Sequence, residues 1–352
     1  TGKTFIVARI LALLQATAGD KLRIALAAPT GKAAVRLHEA ILAARNMMDS
    51  DLREMVPDDT GTLHRLLGLM PDSGRYRYNR ENKLHLDLLI IDEASMIDVP
   101  LMAALLQALP ERTRLVMLGD HDQLTSVEAG SLFSDICSAG SGWSAALCRQ
   151  LELLTGFGHQ PRRRGRGFGD SVAFLERGYR FSRRSGMGEL AAAVKQGDRS
   201  CLAGVAEGRY AGVDLLPSDG GDMDDRLAHL LLQGFAGCFS AAGPGEALRS
   251  LDAFRVLCAV REGPAGVTGV NTLAERVLRR RGLIGEGGPW YRGRPVMIRS
   301  NDYLLGLFNG DSGIIWPDGD GAPWAWFLRQ DGNLLHVPLS RLPQHDTAYA
   351  IT

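Results

Sequence analysis

Cysteine is scarce in this chain, and no two cysteines are spaced as a metal or redox pair. Cys137, Cys148, Cys201, Cys238 and Cys258 stand singly. That excludes a zinc ribbon and a disulfide-stapled secreted domain, and leaves reduced thiols of a cytosolic protein as the expectation. Long apolar runs are missing too. Arg9 and Gln15 break the longest early one, so nothing approaches the ~20 residues that cross a bilayer. No signal peptide is recognisable, and no membrane partner is expected. Net charge is also lacking, because 40 basic residues balance 40 acidic ones. Contacts with nucleic acid would therefore depend on local patches. Among the basic residues lysine is rare: Lys3, Lys21, Lys32, Lys83 and Lys195 are the lysines, and the rest are arginines.

What the chain does have is size and a core-forming composition. With 352 residues, 45% hydrophobic and 23% charged, it is expected to form two or three soluble globular domains. Arg23–Ala28, Leu86–Ile91 and Leu115–Leu118 read as buried strands. They alternate with helical stretches such as Phe5–Ala18, the pattern of a parallel sheet with crossover helices. Residues 156–170 are rich in Gly and Arg and read as a loop or linker. Beyond it Leu190–Val194 is helical in character and Phe254–Val260 reads as another strand. After Gly285, Gly, Pro and Trp separate short β-like runs at Val296–Ile298, Gly313–Trp316, Trp324–Leu328 and Leu334–Val337, which suggests a small β-barrel.

The chain opens on Thr1-Gly2-Lys3-Thr4, the closing half of the phosphate-loop pattern G-x-x-x-x-G-K-[ST]. No Met precedes it, so a piece cut within that loop is expected. A Lys at a helix start can reach nucleotide phosphates, and the following Thr can ligate Mg²⁺. An ordinary helix start is the plainer reading of the tetrapeptide alone. About 90 residues on, the apolar Leu88–Ile91 run ends in Asp92-Glu93, in the order of a metal-holding Asp and a water-polarising Glu. Gly119-Asp120-His121-Asp122-Gln123 follows the next strand, and Gln123 could bond a γ-phosphate or water; a polar turn is the bland alternative. Pro29-Thr30-Gly31-Lys32 offers a hydroxyl and a helix N-terminus to a nucleic-acid phosphate, or merely a helix cap. His64 in Thr62-Leu63-His64 could touch a strand of nucleic acid, or be structural. Arg180 in Tyr179-Arg180-Phe181 could act as an arginine finger, or be a surface residue.

Taken in order, GKT, APTGKAA, TLHRLLG, LLIIDEASM, LGDHDQLTSVEAGSLF and YRF resemble the motifs of superfamily 1 DNA helicases, and most closely the RecD group, the alpha subunit of exodeoxyribonuclease V. Cys258–Pro264, Gly293–Ile298 and Asn301–Asp311 resemble the same group in the second half. The resemblance implies two RecA-like lobes with parallel sheets, residues 1–155 and 171–286. It also implies an SH3-like insert at 287–345 and a return to the second lobe at 346–352. It implies ATP and Mg²⁺ as cofactors. Thr1, Gly2, Lys3 and Thr4 would hold the phosphates, Thr4 and Asp92 the metal, and Glu93 would activate water. Gln123 would sense the γ-phosphate and Arg180 would reach in from the second lobe. Thr30, Lys32, His64 and Asn309 would lie toward DNA. Single- and double-stranded DNA and two further subunits of a heterotrimer are the implied partners, with 5′→3′ movement on single strands. A stand-alone or conjugative helicase, and a docking subunit with a decayed ATPase, are the alternatives. The family continues past Thr352 into further motifs, so a second cut is expected there. A generic P-loop kinase or GTPase is excluded by the APTGKAA and GDHDQL blocks.

Overall fold

Every residue of Leu88-Leu89-Ile90-Ile91 is fully buried, as a strand covered on both faces must be. In the computed structural model this run is the centre of a parallel sheet. The structure describes residues 2–18, 21–46, 50–57, 59–70, 73–123, 132–139, 142–158, 168–175, 185–215, 222–285, 287–302, 304–329 and 332–352. The chain divides into two units, residues 1–214 and 215–352. That division lies downstream of the 156–170 stretch.

The first unit runs α1 (Gly2–Thr17), β1 (Ile24–Ala28), α2 (Gly31–Arg45), α3 (Ser50–Met55), β2 (Thr60–Thr62), α4 (Leu63–Leu67), β3 (Leu88–Ile91), α5 (Val99–Ala108), β4 (Arg114–Met117), α6 (Leu132–Ala139), α7 (Ala145–Thr155), α8 (Gly186–Lys195) and α9 (Ser200–Ala206). Its strands lie in the order β2-β1-β3-β4, all parallel. Alternation along each strand sends side chains to opposite faces. Leu26, Leu88 and Ile90 pack on one side with Val7, Ala8 and Leu11 of α1 and with Leu37 and Ile41 of α2. Ala27, Leu89 and Ile91 pack on the other with Leu63 and Leu67 of α4 and with Leu101, Met102 and Leu105 of α5. The three strands anticipated from the apolar runs are therefore present, the first two shortened by one and two residues at their starts and the third shifted back by one residue.

Caps set where the helices start. Thr30, Thr62, Asp98, Ser144 and Ser185 each accept a hydrogen bond from a backbone N–H three residues on, at the starts of α2, α4, α5, α7 and α8. Gln15, nearly buried in the last turn of α1, accepts from the Leu22 N–H at 3.2 Å. This pins the end of α1 beside the entry to β1. The helix therefore runs back along the sheet, with Gly2 and Lys3 toward the strands' carboxyl ends.

The second unit comprises α10 (Asp222–Ser240), α11 (Pro244–Ala253), β5 (Val256–Leu257), α12 (Val267–Arg280), β6 (Pro295–Ile298), β7 (Ser312–Pro317), β8 (Pro323–Leu328), β9 (Leu334–Pro338), β10 (His345–Thr347) and β11 (Ala350–Ile351). Strands β6 to β10 form an antiparallel sheet ordered β10-β6-β7-β8-β9. One of its faces, with Val296, Ile315, Ala325, Phe327 and Val337, makes its own core. The other, with Ile314, Trp316, Trp326 and Leu328, joins Phe235, Leu248 and Leu278 of the helices. The chain then returns, and β11 pairs in parallel with β5. Asn271 of α12 fastens the return. Its amide donates to the carbonyls of Thr347 (3.0 Å) and Ala350 (3.3 Å), and its oxygen accepts from the Ala350 N–H (3.0 Å). The strand expected over Phe254–Val260 is only Val256–Leu257. Phe254 instead ends α11 and packs edge-on against Phe235, ring centroids 5.0 Å apart.

Candidate active site

The pairing register aligns the strand ends of the parallel sheet. Ala28 lies opposite Thr62, Ala27 opposite Ile91, and Ile91 opposite Met117. The chain leaves these positions as Pro29-Thr30, as the start of α4 at Leu63-His64, and as the loops Asp92-Glu93 and Leu118-Gly119-Asp120. Ligands of open α/β sheets bind at this edge. The motifs singled out from the sequence in the first unit thus leave one sheet edge together, and Lys3 approaches the same edge in the first turn of α1.

Asp92 is held at both ends. Its N–H donates to the Ala27 carbonyl at 3.0 Å, and its Oδ1 accepts from the Glu93 N–H at 2.9 Å. One carboxylate oxygen is thereby oriented, and lone pairs remain for a hard cation such as Mg²⁺. Glu93 is unusual. With φ 53° it is the one non-glycine residue in the left-handed region among the described residues, and it caps the 3₁₀ turn Ala94–Met96. Its Oε2 is buried without a hydrogen-bond partner, as is the Ser95 Oγ. Strained backbone with an unmet buried acceptor is unfavourable in a resting fold and collects at functional sites.

The loops after β3 and β4 are laced together. The Leu118 N–H donates to the Ile91 carbonyl and the Ala94 N–H to the Leu118 carbonyl, both at 2.8 Å. Gly119 passes so close that a Cβ there would sit 2.7 Å from the Phe133 ring and 3.1 Å from the Ser95 nitrogen. The following turn is set by Asp120, whose carbonyl accepts from the Gln123 N–H at 3.1 Å. Gln123 itself is exposed. The neighbouring side chains are engaged: His121 stands edge-on to Phe174, centroids 5.5 Å apart, and Asp122 pairs with Lys195 at the end of α8.

Thr30 caps α2 by accepting from the Ala33 N–H at 3.2 Å, which leaves its O–H able to donate. Lys32 lies in the first turn of that helix. His64 is within α4, its ring 6.2 Å from that of Tyr76. Asn309 is exposed in the β6–β7 connection, and its N–H donates to Asn301 Oδ1 at 2.9 Å. It belongs to the second unit. Thr1 and Arg180 lie outside the described residues, and so does the Thr4 side chain. Ser95, Phe133 and Lys195 were not picked out from the sequence. Ser95 lies in the LLIIDEASM motif, Phe133 closes the LGDHDQLTSVEAGSLF motif, and Lys195 is one of the rare lysines.

Comparison with known proteins adds a family context. A family model described as an AAA domain matches residues 1–129. The RecBCD enzyme subunit RecD of Mycolicibacterium smegmatis is 40% identical over 330 residues, covering 91% of this chain and 54% of that protein. The ATP-dependent RecD2 DNA helicase of Deinococcus radiodurans is 28% identical over 337 residues, 94% of this chain and 37% of that protein. A solved structure of Pif1 helicases at forked DNA aligns with a TM-score of 0.43 at 19% identity, covering 100% of this chain and 75% of that one. The chain spans about half the length of the curated RecD relatives it matches.

Proposed function

We propose that this chain, RecD-like in sequence along its length, is the motor segment of an ATP-dependent DNA helicase. The observation that carries the reading is Glu93: a left-handed residue at the end of the central strand, with a buried unpartnered carboxylate oxygen, directly after an anchored Asp92. This is the arrangement needed to hold a metal–nucleotide complex beside a general base.

Lys3 sets a compact positive charge against the nucleotide phosphates, with Thr1, Gly2 and Thr4 around it. Asp92 and Thr4 hold Mg²⁺, which when bound neutralises phosphate charge. Glu93 takes the proton of the attacking water as the new bond to the γ-phosphorus forms and ADP departs. Gln123, on the loop laced to the Glu93 turn, reads whether the γ-phosphate is present, and Arg180 contributes from the second lobe. Thr30, Lys32, His64 and Asn309 face single-stranded DNA. The proposed lobes are residues 1–155, supported by the parallel sheet, and 171–286 with 346–352, supported by the β5–β11 pairing. The antiparallel sheet between them in sequence is the SH3-like insert, and 156–170 is the linker. The motor works in a three-subunit exodeoxyribonuclease V complex, moving 5′→3′ in the repair of double-strand breaks, in the cytoplasm. No helix among the described residues is long and apolar enough to cross a membrane.

The test is strand separation by the chain extended to the length of its relatives, on duplexes carrying only a 5′ or only a 3′ single-stranded tail. Unwinding of the 5′-tailed substrate alone is expected. Preference for the 3′ tail would overturn the polarity, and no unwinding of either would overturn the helicase reading. A stand-alone helicase is the second reading, supported by a relative named simply as an ATP-dependent DNA helicase; purification without two further subunits, still unwinding, would select it.

A further inference from the structure

The two buried side-chain atoms without a hydrogen-bond partner among the described residues sit two positions apart in one short turn: Glu93 Oε2 and Ser95 Oγ. One is a carboxylate acceptor and the other a hydroxyl that can donate. Ser95 is 3% exposed. Its backbone nitrogen and the Phe133 ring both crowd the same side of Gly119, where a Cβ would lie 3.1 and 2.7 Å from them. The hydroxyl is thus enclosed where the Asp92-Glu93 loop meets the loop leading to Gln123. Buried hydroxyls that serve only folding are bonded in the resting protein. One left unbonded beside an equally unbonded acceptor is unfavourable until something turns the two together. Each side chain has other staggered rotamers to turn into.

We propose that Ser95 is a positioning residue whose hydroxyl seats the Glu93 carboxylate when the nucleotide site is loaded. This rests on the reading of Glu93 as the base that activates water. The structure has no hydrogen bond between Glu93 Oε2 and Ser95 Oγ. Loading supplies the interactions that reorient Glu93, and the Ser95 donor then fixes it in the orientation that accepts a proton. Because Ser95 abuts Gly119, movement of the Gln123 loop would be felt at the same hydroxyl.

The experiment compares Ser95→Ala, Ser95→Thr and Glu93→Gln with the parent, in protein extended to the length of its relatives. It measures DNA-stimulated ATP hydrolysis and thermal melting. Loss of a hydrogen bond to a charged group predicts a fall in kcat of about ten-fold or more for Ser95→Ala, with KM for ATP little changed. Ser95→Ala should melt no lower than the parent, because the hydroxyl it removes has no hydrogen-bond partner. Ser95→Thr, which keeps the hydroxyl, should retain most of kcat. An unchanged kcat in Ser95→Ala, or a loss that merely tracks a lower melting temperature, would overturn the inference. Glu93→Gln separates the two levels. If it still hydrolyses ATP, the reading of the site itself falls. If it is inactive while Ser95→Ala is fully active, the Ser95 inference alone falls.

Discussion

Replacing Glu93 with glycine should make the protein more stable and inactive. Three effects decide the sign. A non-glycine residue in the left-handed region costs about 1–2 kcal/mol, and Glu93 holds φ 53°. Glycine relieves this but loses about 0.5–1 kcal/mol through the greater freedom of the unfolded chain. The buried unpartnered Oε2 adds an unmet desolvation cost, about 1–3 kcal/mol for a fully enclosed group. Glu93 as a whole is only half-buried, which argues for the lower end. The balance is a gain of about 1–2 kcal/mol. For a unit of this size, roughly 2–4 °C per kcal/mol, the melting temperature should rise by about 2–8 °C. Differential scanning calorimetry of Glu93→Gly beside Glu93→Gln is the assay. Glu93→Gln keeps both the strained backbone and the enclosed side chain, so it should melt near the parent. A fall of several degrees for Glu93→Gly would refute the reasoning, because it would mean that the carboxylate supports the fold and is not held there for chemistry.

Two further outcomes follow from the same geometry. Gly119→Ala places a Cβ 2.7 Å from the Phe133 ring, an overpacking that should cost about 1–3 kcal/mol; thermal melting reads it, and Phe133→Leu in the same chain should recover part of the loss. Asp87 receives hydrogen bonds from the Arg23 guanidinium (2.9 and 2.7 Å) and the Arg23 N–H (2.9 Å), and these hold its carboxyl well below the usual carboxylate range. Its contribution is therefore present above the unfolded value of about 3.9 and is lost as pH falls through the lower folded value. Asp87→Asn should lower the melting temperature at neutral pH by a small, salt-sensitive amount, since the pair is exposed, and the difference from the parent should shrink below about pH 4, flattening the acid limb of the profile.

The parallel sheet was legible because its evidence is local. Leu88–Ile91 is apolar on both faces and ends at once in carboxylates, and Leu115–Leu118 is a second apolar run, separated from Asp120 by one glycine; short runs of this kind between helical stretches fit strands of a parallel sheet. Order and spacing then sufficed to bring Thr30, Asp92, Glu93 and Gln123 to one edge. The shorter pieces were not legible, because distant partners decide them. Strand β2 has three residues and exists by pairing with β1. Strand β11 has two and depends on Asn271. The 168–175 segment is tied to the start of α7 and the residue before it: the Trp143 indole N–H donates to the Val172 carbonyl at 2.8 Å and the Ser144 N–H to Asp170 Oδ1 at 2.6 Å. Nothing local in the sequence announces that. The closeness of Ser95, Gly119 and Phe133 likewise comes from two loops crossing, and the left-handed conformation of Glu93 runs against its residue type.

The central claim is that Lys3, Asp92 and Glu93 form a nucleotide-hydrolysing site coupled to DNA. Steady-state ATP hydrolysis with and without single-stranded DNA, by the chain extended to the length of its relatives and by its Lys3→Ala and Glu93→Gln variants, tests it most directly. The account predicts hydrolysis that DNA stimulates and that both variants abolish while remaining folded. Hydrolysis indifferent to DNA, or undiminished in Glu93→Gln, would contradict it.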